Sequence, residues 1–387
     1  MQASASRKPT SSRHSFHATW NGRCAMHDDT LYWIWLSELA GFSLRKKRKL
    51  LASLGGPEQI FRASATTVDE ILHGTGSCSS AAEGAKEISL ASSWKGRNLL
   101  IAETILANNE KASIKVLDAT SPYYRDIFRA DEKAPLVLYY RGRLSDYSIP
   151  VVGVVGSRAC TSYGRLVTKA AVSDLVGKGS IIASGLSFGI DALAHETTLA
   201  CGGITYAFLP CGLHKAQPAS HSDLMERIAD TGAVITPYAY GREALRFRFL
   251  GRNDMLASWC NTLLVVEAGL KSGSMYTARS ALSKGKQVLA VPNSLLESKS
   301  SGTNLLLSEG ARAYINDRLV VGESAVSPCS GEQLVTTALA SRPLSTIELE
   351  AWVQIGNGPV MECLASMELA GKVSYLSDGK WHLSGGL

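Results

Sequence analysis

Gly156, Ser157 and Arg158 stand directly after a short apolar run, Val151–Val155, and a helical segment opens a few residues later near Tyr163-Gly164. A strand that ends in glycine and turns into a helix presents free backbone amides and the positive end of a helix dipole to whatever lies above it. Glycine lets the backbone approach an anion closely. Ser157 adds a hydroxyl donor, and the Arg158 guanidinium is a fork matched to phosphate oxygens. The chemistry expected here is phosphate binding. The turn is not a P-loop, because no Gly-Lys-Ser/Thr is present. It is not the dinucleotide fingerprint either, because the third glycine is not at the required spacing.

A second turn, Ser184-Gly185-Leu186-Ser187-Phe188-Gly189, follows the next apolar run and leads into Asp191 and His195. Ser184, Gly185 and Gly189 are expected to extend the same rim. Asp191 and His195 are four residues apart on one helix, close enough to hydrogen-bond. No serine or cysteine nucleophile is tied to them by sequence, so the pair reads as structural and no catalytic residue is assigned. Further along, Phe249-Leu-Gly-Arg252-Asn253-Asp254 carries an arginine with three possible fates: a phosphate contact, a surface position, or an internal ion pair with Asp254. The last constellation is Glu267-Ala268-Gly269-Leu270-Lys271-Ser272-Gly273-Ser274, with Thr277 beyond it. Lys271, Ser272 and Gly273 form a second Gly/Ser turn with a cation. Two such turns on one sheet edge make a groove that tracks a chain of phosphates better than it holds one mononucleotide. Phe188, Phe247 and Tyr276 are the aromatic residues available to stack bases, or they belong to the core.

These turns need strands to hold them. From residue 149 onward, apolar runs alternate with amphipathic helical segments: Val151–Val155, Ser180–Ala183, Ile204–Leu209, Ala233–Thr236, Thr262–Glu267 and Gln287–Val291, with Ala311–Ile315 as a last edge strand. Continuous apolar runs mean strands buried on both faces, and strand–helix alternation means a mostly parallel sheet with helices on both sides. The fold class is therefore α/β, Rossmann-like and doubly wound, over residues 149–318. Residues 28–110 read as a small helical domain, with a basic run at Arg45–Lys49 that either contacts phosphate or forms a solvated helix face. Residues 111–148 read as a connector with two short strands around a Ser121–Tyr124 turn. A linker follows at 319–331. Residues 332–387 give three helices and a hairpin, a winged-helix arrangement, with capping-box spacing at Ser345–Glu348. Residues 1–27 are a serine-rich basic tail, disordered or preceding a true start at Met26.

Composition sets looser bounds. Of 387 residues, 45% are apolar and 19% charged, ordinary for a globular protein, and the net charge of +6 is compatible with an anionic partner. Eight cysteines include no Cys-x-x-Cys pair, which argues against a zinc ribbon and suits reduced cytoplasmic thiols. No apolar run approaches the roughly 18 residues a membrane span needs. No metal or cofactor is called for.

Taken together, these strings resemble the DprA/Smf family of DNA-processing proteins. The resemblance rests on Gly156-Ser157-Arg158 with Tyr163-Gly164, Ser184-Gly185…Gly189-Ile190-Asp191…Ala194-His195, Leu209-Pro-Cys-Gly212, Phe249…Arg252-Asn253, Val266-Glu267-Ala268…Lys271-Ser272-Gly273…Thr277-Ala278, Ala290-Val-Pro292 and Gly302-Thr-Asn304…Gly310-Ala311. It implies a dimeric, cytoplasmic, non-enzymatic protein that binds incoming single-stranded DNA in natural transformation, protects it and helps load the RecA recombinase. It implies that Gly156, Ser157 and Arg158 with Lys271 line the DNA groove, and that Asn304–Leu307 lies near a dimer surface. It also implies a sterile-alpha-motif-like N-terminal module. The chain departs from the family pattern at Asp254, where an arginine is usual, which places a negative charge beside the expected groove. Two other readings compete: a hydrolase of the nucleoside-monophosphate phosphoribohydrolase type, whose Pro-Gly-Gly-x-Gly-Thr loop is missing at Glu267–Gly273, and a transcriptional regulator, whose reading helix would be Pro359–Ala370 with acidic Glu362 and Glu368.

Overall fold

The computed structural model describes residues 26–73, 94, 96–128, 131–315, 331–339, 343–352 and 360–384. The expected basic tail up to residue 25, the linker over 319–330 and Pro359 lie outside the described residues.

The apolar runs become strands because their side chains are buried on both sides. β3 (Val151–Val155), β4 (Ile181–Ser184), β5 (Thr205–Phe208) and β6 (Ala233–Thr236) are buried at every position. β7 (Thr262–Val265) and β8 (Gln287–Ala290) follow, and β9 is only Arg312–Ala313. The two faces split by the alternation of a strand. Val151 and Val155 pack with Met255, Trp259 and Ala278 on one side, while Val152 and Val154 pack with Val167, Ala171 and Ile190 on the other. Helices α7 (Ser162–Gly177) and α8 (Ile190–Ala200) cover the second face. Helices α10 (Arg246–Trp259) and α11 (Gly273–Ser283) cover the first. Between β5 and β6 runs α9 (Ser222–Thr231), and α12 (Ser301–Ser308) precedes β9.

The sheet has nine strands in the order β1-β2-β6-β5-β4-β3-β7-β8-β9. From β6 to β9 all neighbours are parallel. The chain builds outward from β3 through β4, β5 and β6, then returns to lay β7 on the other side of β3. The crevice between β3 and β7 is thus the topological switch point, where ligands of open α/β sheets bind.

The segment expected to be a connector does more than connect. β1 (Lys115–Asp118) and β2 (Val137–Gly142) add antiparallel strands to the β6 edge, and the residues read as a turn instead start helix α6 (Pro122–Phe128). Val137, Leu138 and Tyr139 are all buried, so β2 needs cover on both faces, and the sheet supplies it.

The N-terminal residues form α1 (Met26–Glu38), α2 (Leu44–Leu54), α3 (Pro57–Arg62), α4 (Ala65–His73) and α5 (Leu100–Lys111) around a core that includes Trp35, Leu36, Leu50, Ile60 and Trp94. At the other end, α13 (Gly331–Leu339), α14 (Thr346–Trp352) and α15 (Val360–Leu369) precede a hairpin of β10 (Val373–Tyr375) and β11 (Trp381–Leu383). The capping box is formed: Ser345 Oγ accepts from the Glu348 amide at 3.3 Å and Glu348 Oε2 accepts from the Ser345 amide at 2.9 Å. Among the described residues no helix is long and apolar enough to cross a membrane.

Candidate nucleic-acid interface

A cavity of about 290 Å³ opens at the switch point. The turn after β3 supplies Gly156, Ser157 and Arg158. The turn after β4 supplies Gly185 and Ser187, α10 supplies Phe249, Arg252 and Asn253, and the turn after β7 supplies Gly269, Ser272, Gly273 and Ser274. Of the ten residues singled out in the sequence, seven therefore meet here: Gly156, Ser157, Arg158, Gly185, Arg252, Ser272 and Gly273.

The turns lock onto one another. Ser274 Oγ donates to the Gly156 carbonyl at 2.9 Å, so the turn after β7 is tied to the turn after β3. A Cβ at Gly156 would lie 2.6 Å from Ile190 Cγ1, so glycine here serves close packing of the turn on α8. Gly189 has φ +77°, and a Cβ there would lie 2.3 Å from the Ser157 carbonyl oxygen. It is the hinge on which the second turn closes over the first, and does not line the cavity. Ser272 caps α11 by accepting from the Met275 amide. Thr277 Oγ1 donates to the Gly273 carbonyl at 3.1 Å.

Two guanidinium groups face the cavity in different ways. Arg158 is exposed on the rim and makes no hydrogen bond or ion pair among the described residues. Arg252 is 4% exposed and forms the floor. Its Nη1 donates to the carbonyls of Gly185 and, at 2.9 Å, Phe208, while its Nε is buried without a partner. The Phe249 ring lies 5.8 Å from Cζ of each arginine. A buried cation needs compensation, and the Asp191 carboxylate supplies part of it. Burial pushes the Asp191 carboxyl above its ordinary pKa, and the Arg252 charge opposes that shift. Gly185 is glycine because a Cβ would lie 2.7 Å from Asp191 Oδ2 and would overlap Arg252 Nη1.

Arg252 is thus neither a surface residue nor the ion-pair partner of Asp254. Asp254 turns toward α11, where it accepts from Tyr276 Oη at 2.7 Å and Ser280 Oγ at 2.5 Å. Its negative charge ties two helices together and is not part of the cavity lining. Tyr276, on α11, is accordingly engaged with Asp254 of α10, while Phe188 and Phe247 remain 51% and 65% exposed.

Other expectations are corrected. Asp191 and His195 do not form a pair. His195 is fully buried, and its Nδ1 lies 2.7 Å from Thr205 Oγ1. Thr205 gives its own proton to the Ile182 carbonyl at 2.8 Å, so His195 Nδ1 is the donor. Burial pushes the His195 pKa down to about 3, leaving a neutral ring that joins α8 to β5. Ser184 is also fully buried and spends its hydroxyl on the Val154 carbonyl at 2.6 Å, behind the rim. Lys271 is exposed beside the cavity without lining it. The basic run on α2 is partly solvated, with Arg45 and Lys49 exposed, and three of its side chains reach backbone carbonyls. Lys47 donates to the Ser37 carbonyl at 2.6 Å, Arg48 to the Ala134 carbonyl at 2.8 Å and Lys49 to the Leu72 carbonyl at 3.0 Å.

Asp191, Phe249, Asn253, Ser274 and Thr277 also line the cavity, though sequence alone assigns none of them a phosphate-binding role. Glu267 lies behind the lining and is not part of it. It is fully buried, and its Oε2 accepts from the Thr161 amide at 2.9 Å while its Oε1 accepts the Thr161 hydroxyl.

A mostly parallel sheet with a crevice at its switch point, lined by Arg158 and Arg252, defines an open α/β protein of the Rossmann-like class. Residues 115–323 match the family DNA recombination-mediator protein A, and the chain belongs to that family. It is 36% identical over 190 residues to the DNA processing protein DprA of Streptococcus pneumoniae, covering 49% of this chain and 67% of that one. It is 36% identical over 272 residues to a putative DprA of Mycobacterium tuberculosis, covering 65% and 69%. The X-ray structure of DprA from Streptococcus pneumoniae superposes with a TM-score of 0.63 at 27% identity, over 76% of this chain and 98% of that chain.

Proposed function

We propose that the chain binds single-stranded DNA across the switch-point cavity, as a non-enzymatic recombination mediator that protects the strand and helps load the RecA recombinase. The observation that carries the reading is the pairing of an exposed Arg158 on the rim, without a hydrogen bond or ion pair among the described residues, with a second guanidinium, Arg252, fixed beneath it with a free Nε. Two cations around a preformed hollow, with the Ser272–Ser274 turn opposite, suit a phosphate. The exposed rings of Phe188 and Phe247 suit stacking of unpaired bases, which favours a single strand over a duplex. Within this reading the protein acts in the cytoplasm as a homodimer that meets its copy near Asn304–Leu307. The N-terminal helices form a sterile-alpha-motif-like domain over 28–110, the Rossmann-like domain spans 149–318, and the last helices and hairpin form a winged helix over 332–387. The phosphoribohydrolase alternative would need a Pro-Gly-Gly-x-Gly-Thr loop that Glu267–Gly273 does not have, and Glu267 itself is sealed against Thr161.

The test is a titration of oligo-dT and of duplex DNA at several salt concentrations. Tighter binding of oligo-dT, weakening steeply as salt rises, is the expected result. Equal or tighter duplex binding, or indifference to salt, would sink the proposal.

A further inference from the structure

Glu267 is a buried carboxylate with no cationic partner among the described residues. It lies at the end of β7, directly beneath the start of α7. Both its oxygens are used by Thr161, one by the amide at 2.9 Å and one by the hydroxyl. That same hydroxyl accepts from the Gly164 amide at 3.1 Å and caps the helix. The fit is close: a Cβ on Gly164 would lie 2.4 Å from Glu267 Cδ. The negative group therefore sits against the positive end of a helix of 16 residues, where an anion is stabilised by the helix dipole.

In a doubly wound sheet, the start of the helix after the first strand of this kind is where a nucleotide's phosphates rest. We infer that the Glu267 carboxylate is a built-in anion at this phosphate position, so that the pyrophosphate of a dinucleotide or a nucleoside diphosphate is excluded and a single external phosphate is left the cavity beside the Ser272–Ser274 turn. The cavity lining agrees, since it includes Ser272, Gly273 and Ser274 but no residue from Thr161 to Gly164. A pyrophosphate needs two adjacent anion positions, and this chain offers one. A nucleic-acid strand needs only one phosphate per hollow and is not penalised. In this way Glu267 acts as a specificity-determining residue for the strand-binding site proposed above, and the inference rests on that reading for the identity of the external phosphate.

The experiment compares ADP and oligo-dT binding by the full chain and by Glu267→Gln, using calorimetry. Gln keeps an oxygen to accept from the Thr161 amide while removing the charge. Glu267→Gln is expected to bind ADP at least about tenfold more tightly than the parent chain, with oligo-dT affinity within about threefold. Equal ADP binding by the two proteins, with oligo-dT binding intact, overturns the inference. A loss of packing alone would not create ADP affinity. Failure of the parent chain to bind oligo-dT would instead strike the strand-binding reading and leave the ADP comparison readable. Should Glu267→Gln not fold, crystals of the parent chain soaked in sulfate decide the matter. Sulfate at Ser272–Ser274 supports the inference, and sulfate against the amides of Thr161–Gly164 overturns it.

Discussion

Arg252 Nη1 donates to the carbonyl oxygen of Phe208 at 2.9 Å, across 44 residues of sequence. The same nitrogen donates to Gly185, so one side chain of α10 joins the end of β5 to the turn after β4. An arginine that reads as a phosphate ligand is first of all the bolt of the cavity floor. Charge-assisted bonds of this kind are worth more than neutral ones, and their loss here would leave two carbonyls facing the hollow.

Arg252→Ala should therefore act on stability as well as on binding. We expect a loss of about 2–4 kcal/mol in urea unfolding. A change under about 0.5 kcal/mol, the range of ordinary surface substitutions, would show that the floor does not depend on this residue.

Arg158→Ala should act chiefly on binding, because Arg158 is exposed and makes no hydrogen bond or ion pair among the described residues. Oligo-dT affinity should fall, and the slope of log affinity against log salt should shrink by about 0.7, the share of one phosphate contact on a single strand. The midpoint of thermal unfolding should stay within about 1 °C. An unchanged slope removes Arg158 from the phosphate contacts.

Asp254 should behave in the opposite way. Its carboxylate serves Tyr276 and Ser280, so Asp254→Ala should loosen α10 from α11 and cost about 1–2 kcal/mol. Oligo-dT affinity should hold to within about threefold. A large gain in affinity on removing this charge would mean that it does face the groove.

His195 predicts a pH effect with a definite sign. Its native pKa is lowered from 6.5 to about 3 by burial. The unfolded chain therefore binds a proton in that window that the folded chain refuses, and stability falls as pH drops from 6.5 toward 3. Asp191, raised by burial, works in the other sense, but it is common to the parent and a His195→Gln variant. Going from pH 6.5 to 5, the parent should lose stability relative to the variant, by up to about 1.4 kcal/mol per pH unit. Parallel stability curves in urea would contradict a neutral buried histidine.

Much of the sheet was legible before any coordinates. Val151–Val155 and Ala233–Thr236 coincide with β3 and β6, and β4 begins one residue later than the apolar run suggests. These runs are legible because burial on both faces demands unbroken apolar sequence. The connector was legible as two strands but not as part of the sheet, because short local runs do not reveal which edge they join. Seven of the expected site residues meet at the cavity because glycine- and serine-rich turns at the carboxyl ends of β3 and β7 flank the switch point. The polar residues were harder. Ser184, His195, Arg252 and Lys47 all satisfy buried carbonyls or hydroxyls, and a side chain that bonds to backbone leaves no spacing pattern to read.

By itself, the sequence determined the parallel sheet, the two Gly/Ser turns and their common edge, since these follow from burial and backbone freedom near each residue. Only the tertiary structure decided which charges face outward. It set Arg252 beneath the cavity and left Arg158 free above it, it turned Asp254 toward α11, and it sealed Glu267 under the start of α7. Those outcomes depend on which carbonyl, amide or helix end comes within about 3 Å of each side chain, and such partners lie tens to a hundred residues away in sequence.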